Sequence, residues 1–300
     1  MHATVTSPYR SAPTNTADIK ITFRAILTPF EWQSSGIFES CLTFGTAGAE
    51  FRLYGKEQVP RSLIPDSALM LIAMPTFNVN TVDWDELYDG KASYAPGNPG
   101  WNIGELQPEL AALEQKGLFK SPLLDSGCGV GVTSLALSGK GYEVVGLDAS
   151  ASAIEQAKKE AANRNLSATF AVADLTKSTG YKDHFDTIID GLVFHCLPEE
   201  LREAYIKSSA EALKPGGKFF ALVFATEAFP PGADFGPRPF SEAQLHDIVG
   251  KHLVVDEVKP ARSWINVPST LPDGFEYRNV NIGSDGRAQL PSWLVSAHRK

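Results

Sequence analysis

Residues 123–137 read LLDSGCGVGVTSLAL, and this stretch decides the class of fold. An apolar run ends in an aspartate, glycines follow at positions 127, 129 and 131, and a helical pattern begins after them. A strand that leads into a helix through glycines predicts a nucleotide-binding loop, because bare backbone can approach a ligand closely. The alternative is a glycine-rich turn between a strand and a helix that binds no ligand. Dinucleotide loops read G-x-G-x-x-G, whereas position 132 here is valine and the pattern is D-x-G-x-G-x-G.

The composition limits the kind of partner. The chain has 300 residues, of which 43% are hydrophobic and 21% charged, and its formal net charge is −8. Because phosphate binding depends on Lys and Arg, an acidic chain predicts no nucleic-acid partner. No apolar run is long enough to cross a bilayer and no secretory signal opens the chain, so we expect a cytoplasmic monomer or homodimer without a membrane partner. Three widely spaced cysteines predict a reducing compartment and no metal site.

The chain falls into two regions of different character. Residues 1–73 begin with a stretch rich in Ser, Thr, Pro and Ala, and continue with apolar clusters that lack a sustained period. This composition predicts a weakly ordered extension, or a start assigned too far upstream. Residues 74–300, which begin with Met74, would form a self-sufficient domain.

From about residue 83, strand and helix patterns alternate along the chain. Helices are predicted at 83–89, 108–116, from the glycines to 138, at 150–165 (capped by Ser150 or Ser152), 199–213 and 241–250. Strands are predicted at 122–125, 142–148, 168–174, 185–191 and 218–225, and in the segments LVVDEVKP and SWLVSAHR near the end. This alternation predicts an α/β fold, a Rossmann-like, doubly wound parallel sheet with helices on both faces.

Acidic residues stand at the ends of successive predicted strands. Asp148 ends the second strand, 21 residues after Gly127, where a doubly wound fold places an acceptor for the hydroxyls of a ribose. Its alternative role is a solvated acid at a strand end. Asp174 ends the third strand and could accept from the amine of adenine, or else cap the segment that follows.

Five motifs, in this order and spacing, resemble those of the class I S-adenosylmethionine-dependent methyltransferases: LLDSGCGVG, VVGLDAS, AVADLT, FDTIID and LKPGGKFFAL. The resemblance is close over 120–225 and looser over 83–300. It implies a seven-stranded sheet in the order 3-2-1-4-5-7-6 with strand seven antiparallel, and S-adenosylmethionine as the cofactor. The cofactor-binding residues that it implies in the sheet region are Asp125, Gly127, Gly129, Gly131, Asp148, Ala149, Ala173, Asp174, Leu175 and Asp190. Asp190 would face the amino group of the cofactor through its carbonyl or its carboxylate, or else simply form the turn before Gly191.

A narrower resemblance lies upstream of the glycines. WDELYDGKASYAPGNPGWNIGELQPEL is similar to the W-x-x-x-Y…W-x-x-G-x-x-Q-P segment of thiopurine-methyltransferase-like enzymes and their bacterial relatives, which methylate heteroaromatic or quinone-like toxins. It implies that Trp101 and Gln107 close over the cofactor, and that the partner is a small aromatic or heteroaromatic acceptor methylated on O, N or S. From the residues alone, Trp101 could equally be a hydrophobic plug that holds its loop down.

His195, just past the fourth strand, is the candidate general base, because its ordinary pKa suits proton transfer near neutrality. The alternative is a histidine that hydrogen-bonds a loop carbonyl and shapes the pocket wall. Two long connections, 226–240 and 261–279, are predicted to form the lid of the pocket. The competing functions are an NAD-dependent oxidoreductase, which would favour glycine at position 132, and a non-catalytic S-adenosylmethionine-binding protein.

Overall fold

The computed structural model divides the chain into two compact units, Met1–Ala73 and Met74–Lys300. It describes residues 82–91, 99–229, 236–267, 279–283 and 285–300, and the backbone of two strands in the first unit. These strands, β1 (Ser40–Gly45) and β2 (Gly48–Leu53), form an antiparallel pair. Weak order was predicted for residues 1–73, and apart from the two strands these residues lie outside the described part of the chain.

A single mixed sheet forms the centre of the second unit. Its strands are β3 (Leu123–Ser126), β4 (Val144–Asp148), β5 (Thr169–Val172), β6 (Phe185–Gly191), β7 (Leu213–Phe224), β8 (Val254–Asn266), β9 (Asn281–Ile282) and β10 (Arg287–His298). Their order in space is β5-β4-β3-β6-β7-β10-β8, and the short β9 pairs with β10. β10 runs antiparallel to β7 and β8, whereas the pairs among β3 to β7 are parallel. The predicted order 3-2-1-4-5-7-6, with its antiparallel seventh strand, is therefore confirmed.

Helices connect the strands close to the predicted positions. They are α1 (Trp84–Tyr88), α2 (Pro108–Gln115), α3 (Val132–Ser138), α4 (Ala151–Asn163), α5 (Glu199–Ala212) and α6 (Glu242–Gly250). Of the two serines predicted to cap α4, Ser150 does so: its Oγ accepts from the Ala153 N–H at 3.0 Å. β7 begins five residues before its predicted start, because Leu213 already pairs with Phe185 of β6 ahead of the KPGG turn.

The core lies on both faces of the sheet, as the alternation of side chains along β7 shows. Phe219, Ala221 and Val223 pack with buried residues of α5 and α6, whereas Phe220 and Leu222 face the cluster that contains Leu110 and Leu113 of α2. Alternate residues of a strand point to opposite faces, so a run that is apolar throughout requires a cover on each side. No described helix is long and apolar enough to span a bilayer.

Candidate active site

The glycine loop joins β3 to α3, and its glycines are required by both backbone and space. Gly127, Gly129 and Gly131 have φ angles of +74°, +51° and +81°, a region that residues with a Cβ rarely adopt. A Cβ at Gly127 would overlap the Cγ2 methyl of Val193, and one at Gly129 would lie 2.6 Å from the hydroxyl of Tyr88. The side chains of Val193 and Tyr88 therefore fill the space beside Gly127 and Gly129. The two glycines also line the adjacent cavity.

Asp148 joins the glycine loop to the start of α4. Its Oδ2 accepts from the Gly129 N–H at 2.8 Å, and its Oδ1 accepts from the Ser150 N–H at 2.9 Å. The residue is only 9% exposed, and burial raises the pKa of its carboxyl. Asp148 also lines the cavity, and each carboxylate oxygen can accept a further hydrogen bond. This geometry fits the predicted contact with ribose hydroxyls, which stays a prediction.

Two further carboxyl groups lie behind the glycine loop. Asp125 is 2% exposed, and its Oδ2 accepts from the N–H of Ser134 at 2.9 Å and from its hydroxyl at 2.6 Å. Asp190 is fully buried; its Oδ1 accepts from the Val193 N–H at 2.8 Å and its Oδ2 from the Tyr205 hydroxyl at 2.7 Å. Asp125 lines the cavity, but Asp190 is not among the described residues that do. The carboxylate of Asp190 thus forms the turn after β6 and is turned towards Tyr205, so a contact with the cofactor amino group would need its carbonyl.

These buried carboxyls predict an unusual dependence of stability on pH. Burial raises the pKa of Asp190 to about 7 and that of Asp125 to about 6, from an ordinary value of 3.8. The folded protein therefore retains protons that the unfolded chain has released. This stabilisation is complete below pH 3.8 and is lost as the pH rises through about 6 to 7.

We expect the free energy of unfolding in urea to fall by about 2 kcal/mol between roughly pH 5.5 and pH 8.5. Asp190→Asn keeps the size of the side chain, can still accept from Val193, and should remove most of this decrease. Equal slopes in the wild type and the variant would contradict the assignment to Asp190.

The predicted adenine-side residues lie at the next strand end. Ala149, Asp174 and Leu175 line the cavity, whereas Ala173, through its N–H, donates to the Asp148 carbonyl at 2.8 Å. The Asp174 carboxylate accepts from the N–H and hydroxyl of Thr176 at 3.0 and 2.6 Å, and pairs with Lys177 at 2.8 Å. These partners hold the pKa of Asp174 below its usual value. A role for Asp174 in binding the adenine amine stays a prediction. Its bonds to Thr176 show that it caps the segment that follows.

The segment before α2 brings Trp101 and Gln107 to the cavity. The Nε2 of Gln107 donates to the Trp264 carbonyl at 2.8 Å, and its Oε1 accepts from the Trp264 N–H at 2.9 Å. The amide of Gln107 is thus bound to strand β8. Trp101 hydrogen-bonds the phenol of Tyr88 and packs edge-on against Trp84, with ring centroids 6.3 Å apart. Both residues line the cavity, so a role in closing over a cofactor stays open for each.

Tyr88 and Trp84 line the cavity too, although sequence reasoning assigned neither a role of its own. Their spacing of four residues in WDELY, which places both on one face of a helix, was the available signal. Together, Trp84, Tyr88 and Trp101 form what we call the aromatic wall.

His195 occupies a short 3₁₀ turn after β6 and is 1% exposed. Its Nδ1 accepts from the Phe224 N–H at 3.1 Å, and its ring lies 4.3 Å from that of Phe224, centroid to centroid. Burial lowers the pKa of His195 to about 3, with a smaller contribution from Arg202. His195 is not one of the described residues around the cavity. The ring thus makes a structural contact with β7, and neither the predicted bond to a loop carbonyl nor a place in the pocket wall is seen among the described residues. The base assignment stays a prediction.

Substitution of His195 separates these two roles. His195→Ala would leave the buried Phe224 N–H without its acceptor, at a cost of about 1–3 kcal/mol. We therefore expect a lower melting temperature and a catalytic rate whose pH profile keeps its shape. A general base would in addition give a rate loss of about 100-fold or more and a changed pH profile.

The cavity between these elements has a volume of about 170 Å³ and is open to solvent. Asp125 and Asp148 line it from the sheet, and the aromatic wall lies on α1 and the segment before α2. An apolar strip after β6 completes the lining, with Leu192, Val193, Cys196 and Leu197. Parts of the predicted lid, at 230–235 and 268–278, fall outside the described residues. In the described part of the chain, no group of three or more His, Cys, Asp and Glu side chains could hold a metal ion.

Comparison with known proteins identifies the family. A model of a methyltransferase domain matches residues 123–217. A 2-heptyl-1-hydroxyquinolin-4(1H)-one methyltransferase from Mycobacteroides abscessus is 41% identical over 219 residues, which cover 72% of this chain and 96% of that protein.

Solved structures agree with this match. One comes from work on the conversion of a disulfide bond into a thioacetal group during echinomycin biosynthesis. It has a TM-score of 0.61 and 28% identity, and the match covers 72% of this chain and 91% of that one. An S-adenosylmethionine-dependent methyltransferase from Anabaena variabilis shares the fold, with a TM-score of 0.53, 18% identity and coverage of 76% and 98%. These matches overturn the oxidoreductase alternative. The chain belongs to the class I S-adenosylmethionine-dependent methyltransferases.

Proposed function

We propose that this enzyme transfers a methyl group to a small heteroaromatic acceptor, and that the acceptor atom is the oxygen of an acidic ring hydroxyl. The observation that carries the proposal is the aromatic wall, which faces the same cavity as the glycine loop and Asp148. Aromatic and apolar linings with a few polar groups suit flat ring systems. The mycobacterial relative, named for a hydroxyquinolone, supports this class of acceptor.

The cofactor fits the charge and shape of the cavity. S-adenosylmethionine, when bound, supplies an electrophilic methyl group on a positively charged sulfur. Asp148 lines the cavity at the end of β4, where a carboxylate could accept from the hydroxyls of a ribose. The main chain of the loop between β3 and α3 lines the cavity at Gly127 and Gly129, while Val193 and Tyr88 pack against these glycines.

The chain contributes alignment and the exclusion of water. The strip of Val193, Cys196 and Leu197 adjoins the glycine loop, because Val193 packs directly against Gly127. This strip and the aromatic wall would hold a flat acceptor ring between them and limit the access of water to its oxygen. S-adenosylmethionine would supply the methyl group, and the acceptor, once methylated on its hydroxyl oxygen, would have released the hydroxyl proton to solvent. A ring hydroxyl conjugated with a carbonyl is acidic, so the buried His195 is not required as a base.

Transfer of a labelled methyl group tests the proposal and the choice of atom. We expect the enzyme to label a 2-alkyl-1-hydroxy-4-quinolone with a mass gain of one methyl group, and to leave the matching 4-quinolone without the N-hydroxyl unlabelled. A parallel panel of a phenol, a thiol and a ring N–H compound covers the other atoms. Labelling of the 4-quinolone would contradict the N-hydroxyl oxygen as the acceptor, and labelling of the thiol alone would contradict oxygen. Binding of S-adenosylhomocysteine without any labelled product would favour the non-catalytic alternative.

A further inference from the structure

Helix α1 carries two members of the aromatic wall, yet it is too short to be stable by itself. It has five residues, Trp84–Tyr88, and isolated helices of this length do not persist in water. Leu87 is its one buried residue, while Trp84 and Tyr88 face the cavity. The position of this part of the wall therefore depends on the contacts that hold α1 in place.

Those contacts converge on the amino end of α4. The Oδ1 of Asp85 accepts from the Ser150 hydroxyl at 2.6 Å and from the Ser152 N–H at 2.9 Å. Asp89, just after α1, accepts from the Ser152 hydroxyl, and Gln156 donates through its Nε2 to the Tyr88 carbonyl at 2.9 Å. A carboxylate at a helix amino end is also favoured by the exposed N–H groups and the helix dipole. Asp85 thus acts as a cap on α4 from a segment 65 residues upstream.

The same bonds reach the cofactor side of the cavity. Ser150 donates its hydroxyl to Asp85 and its N–H to Asp148 at 2.9 Å, so one residue joins α1 to the predicted ribose acceptor. At the other end of α1, the Tyr88 hydroxyl fills the space beside Gly129. Gly129 in turn donates its N–H to Asp148 at 2.8 Å. Helix α1 is therefore tied into the glycine loop and Asp148 at both of its ends.

We propose that Asp85 is a positioning residue that holds α1 over the cofactor cavity, fixing Tyr88 beside Gly129 and Ser150 beside Asp148. The inference rests on cofactor binding in this cavity and not on the identity of the acceptor. If the site is complete only while α1 is held in place, only the molecules in that state can bind the ligand. The apparent affinity then falls as the fraction of such molecules falls. Loss of the Asp85 contacts should therefore weaken cofactor binding, although Asp85 is not one of the described residues that line the cavity.

Calorimetric titration of the full chain with S-adenosylhomocysteine tests the proposal through three variants. Asp85→Ala should weaken binding about tenfold. Asp85→Asn should stay within about threefold of the wild type, since its Oδ1 still accepts from Ser150 and Ser152. Glu86→Ala is the matched control, because it removes a carboxylate from the same helix, whereas the carboxylate that accepts from Ser150 and Ser152 is that of Asp85, and its affinity should be unchanged.

A double-mutant cycle with Tyr88→Ala separates positioning from a general loss of structure. If Asp85 acts by placing α1, Asp85→Ala should cost little further affinity once Tyr88 is gone. Hydrogen exchange, which does not depend on ligand binding, should be faster in residues 84–88 of Asp85→Ala and unchanged in β3.

Wild-type affinity in Asp85→Ala, equal losses in Asp85→Ala and Asp85→Asn, or fully additive losses with Tyr88→Ala would overturn the proposal. Failure of the wild type itself to bind would instead refute the cofactor cavity.

Discussion

Asp148→Ala is expected to weaken S-adenosylhomocysteine binding by at least tenfold, because the substitution removes two functions at once. The variant would lose the predicted bidentate contact with the ribose, worth about 1.5–3 kcal/mol for a charged acceptor. It would also leave the N–H groups of Gly129 and Ser150 without the carboxylate that now accepts from both. Tenfold in affinity corresponds to about 1.4 kcal/mol, so the expected loss is a lower bound.

Calorimetry measures this loss directly, and Asp256→Ala provides the control. Asp256 is a strand carboxylate of the same size, but it lies on β8 at the other edge of the sheet, where it pairs with Lys218 and His298. Its removal should leave the affinity unchanged. An Asp148→Ala variant that binds like the wild type would show that the cofactor does not contact this strand end.

Gly127→Ala is expected to abolish detectable cofactor binding and to destabilise the fold by about 2–5 kcal/mol. A methyl group at this position would overlap Val193 and lie 2.9 Å from its Cβ. The φ angle of +74° adds a backbone cost of about 1–2 kcal/mol for any residue with a Cβ. Overpacking of a well-filled site adds about 1–3 kcal/mol. Relief of the overlap would shift the glycine loop or the segment after β6, and both line the cavity.

Gly216→Ala isolates the packing part of this effect. Gly216 has nearly the same φ angle, +76°, but an added Cβ there would meet no atom within 4 Å. We expect this variant to lose about 1–2 kcal/mol in urea unfolding and to bind S-adenosylhomocysteine like the wild type. Equal losses of stability in the two variants would mean that the Val193 side chain can move away from the added methyl group with little loss of stability. The contact between Val193 and Gly127 would then not shape the site.

The strand and helix periods, read along the chain, predicted most of the fold. Strand β6 was predicted at its observed bounds, and the glycine spacing correctly indicated a tight loop between β3 and the following helix. Parallel strands end at a common edge, so Asp148 and Asp174 could be placed at one cavity from the sequence. The order of the strands came from the resemblance of five motifs, since periodicity does not encode which strands become neighbours.

The roles of individual side chains were less predictable, because their partners lie far along the chain. Gln107 was expected over the cofactor, and its amide is held by Trp264, 157 residues later. His195 was a candidate base because of its place after β6, but the Phe224 N–H occupies its Nδ1 and burial keeps it neutral. A helical spacing could indicate that Trp84 and Tyr88 share a face, but it could not indicate that this face closes the cavity.

Local sequence by itself determined where the backbone bends and which residue types reach the carboxyl edge of the sheet, because φ preference and strand alternation act over a few residues. Tertiary structure alone decided which oxygens of those carboxylates remain available. Asp148 lines the cavity, whereas the carboxylate of Asp190 is turned inwards to Tyr205 and the Val193 N–H. The physical reason is that burial removes water as a partner, so each polar atom must take its hydrogen bonds from whichever groups the folded chain brings beside it.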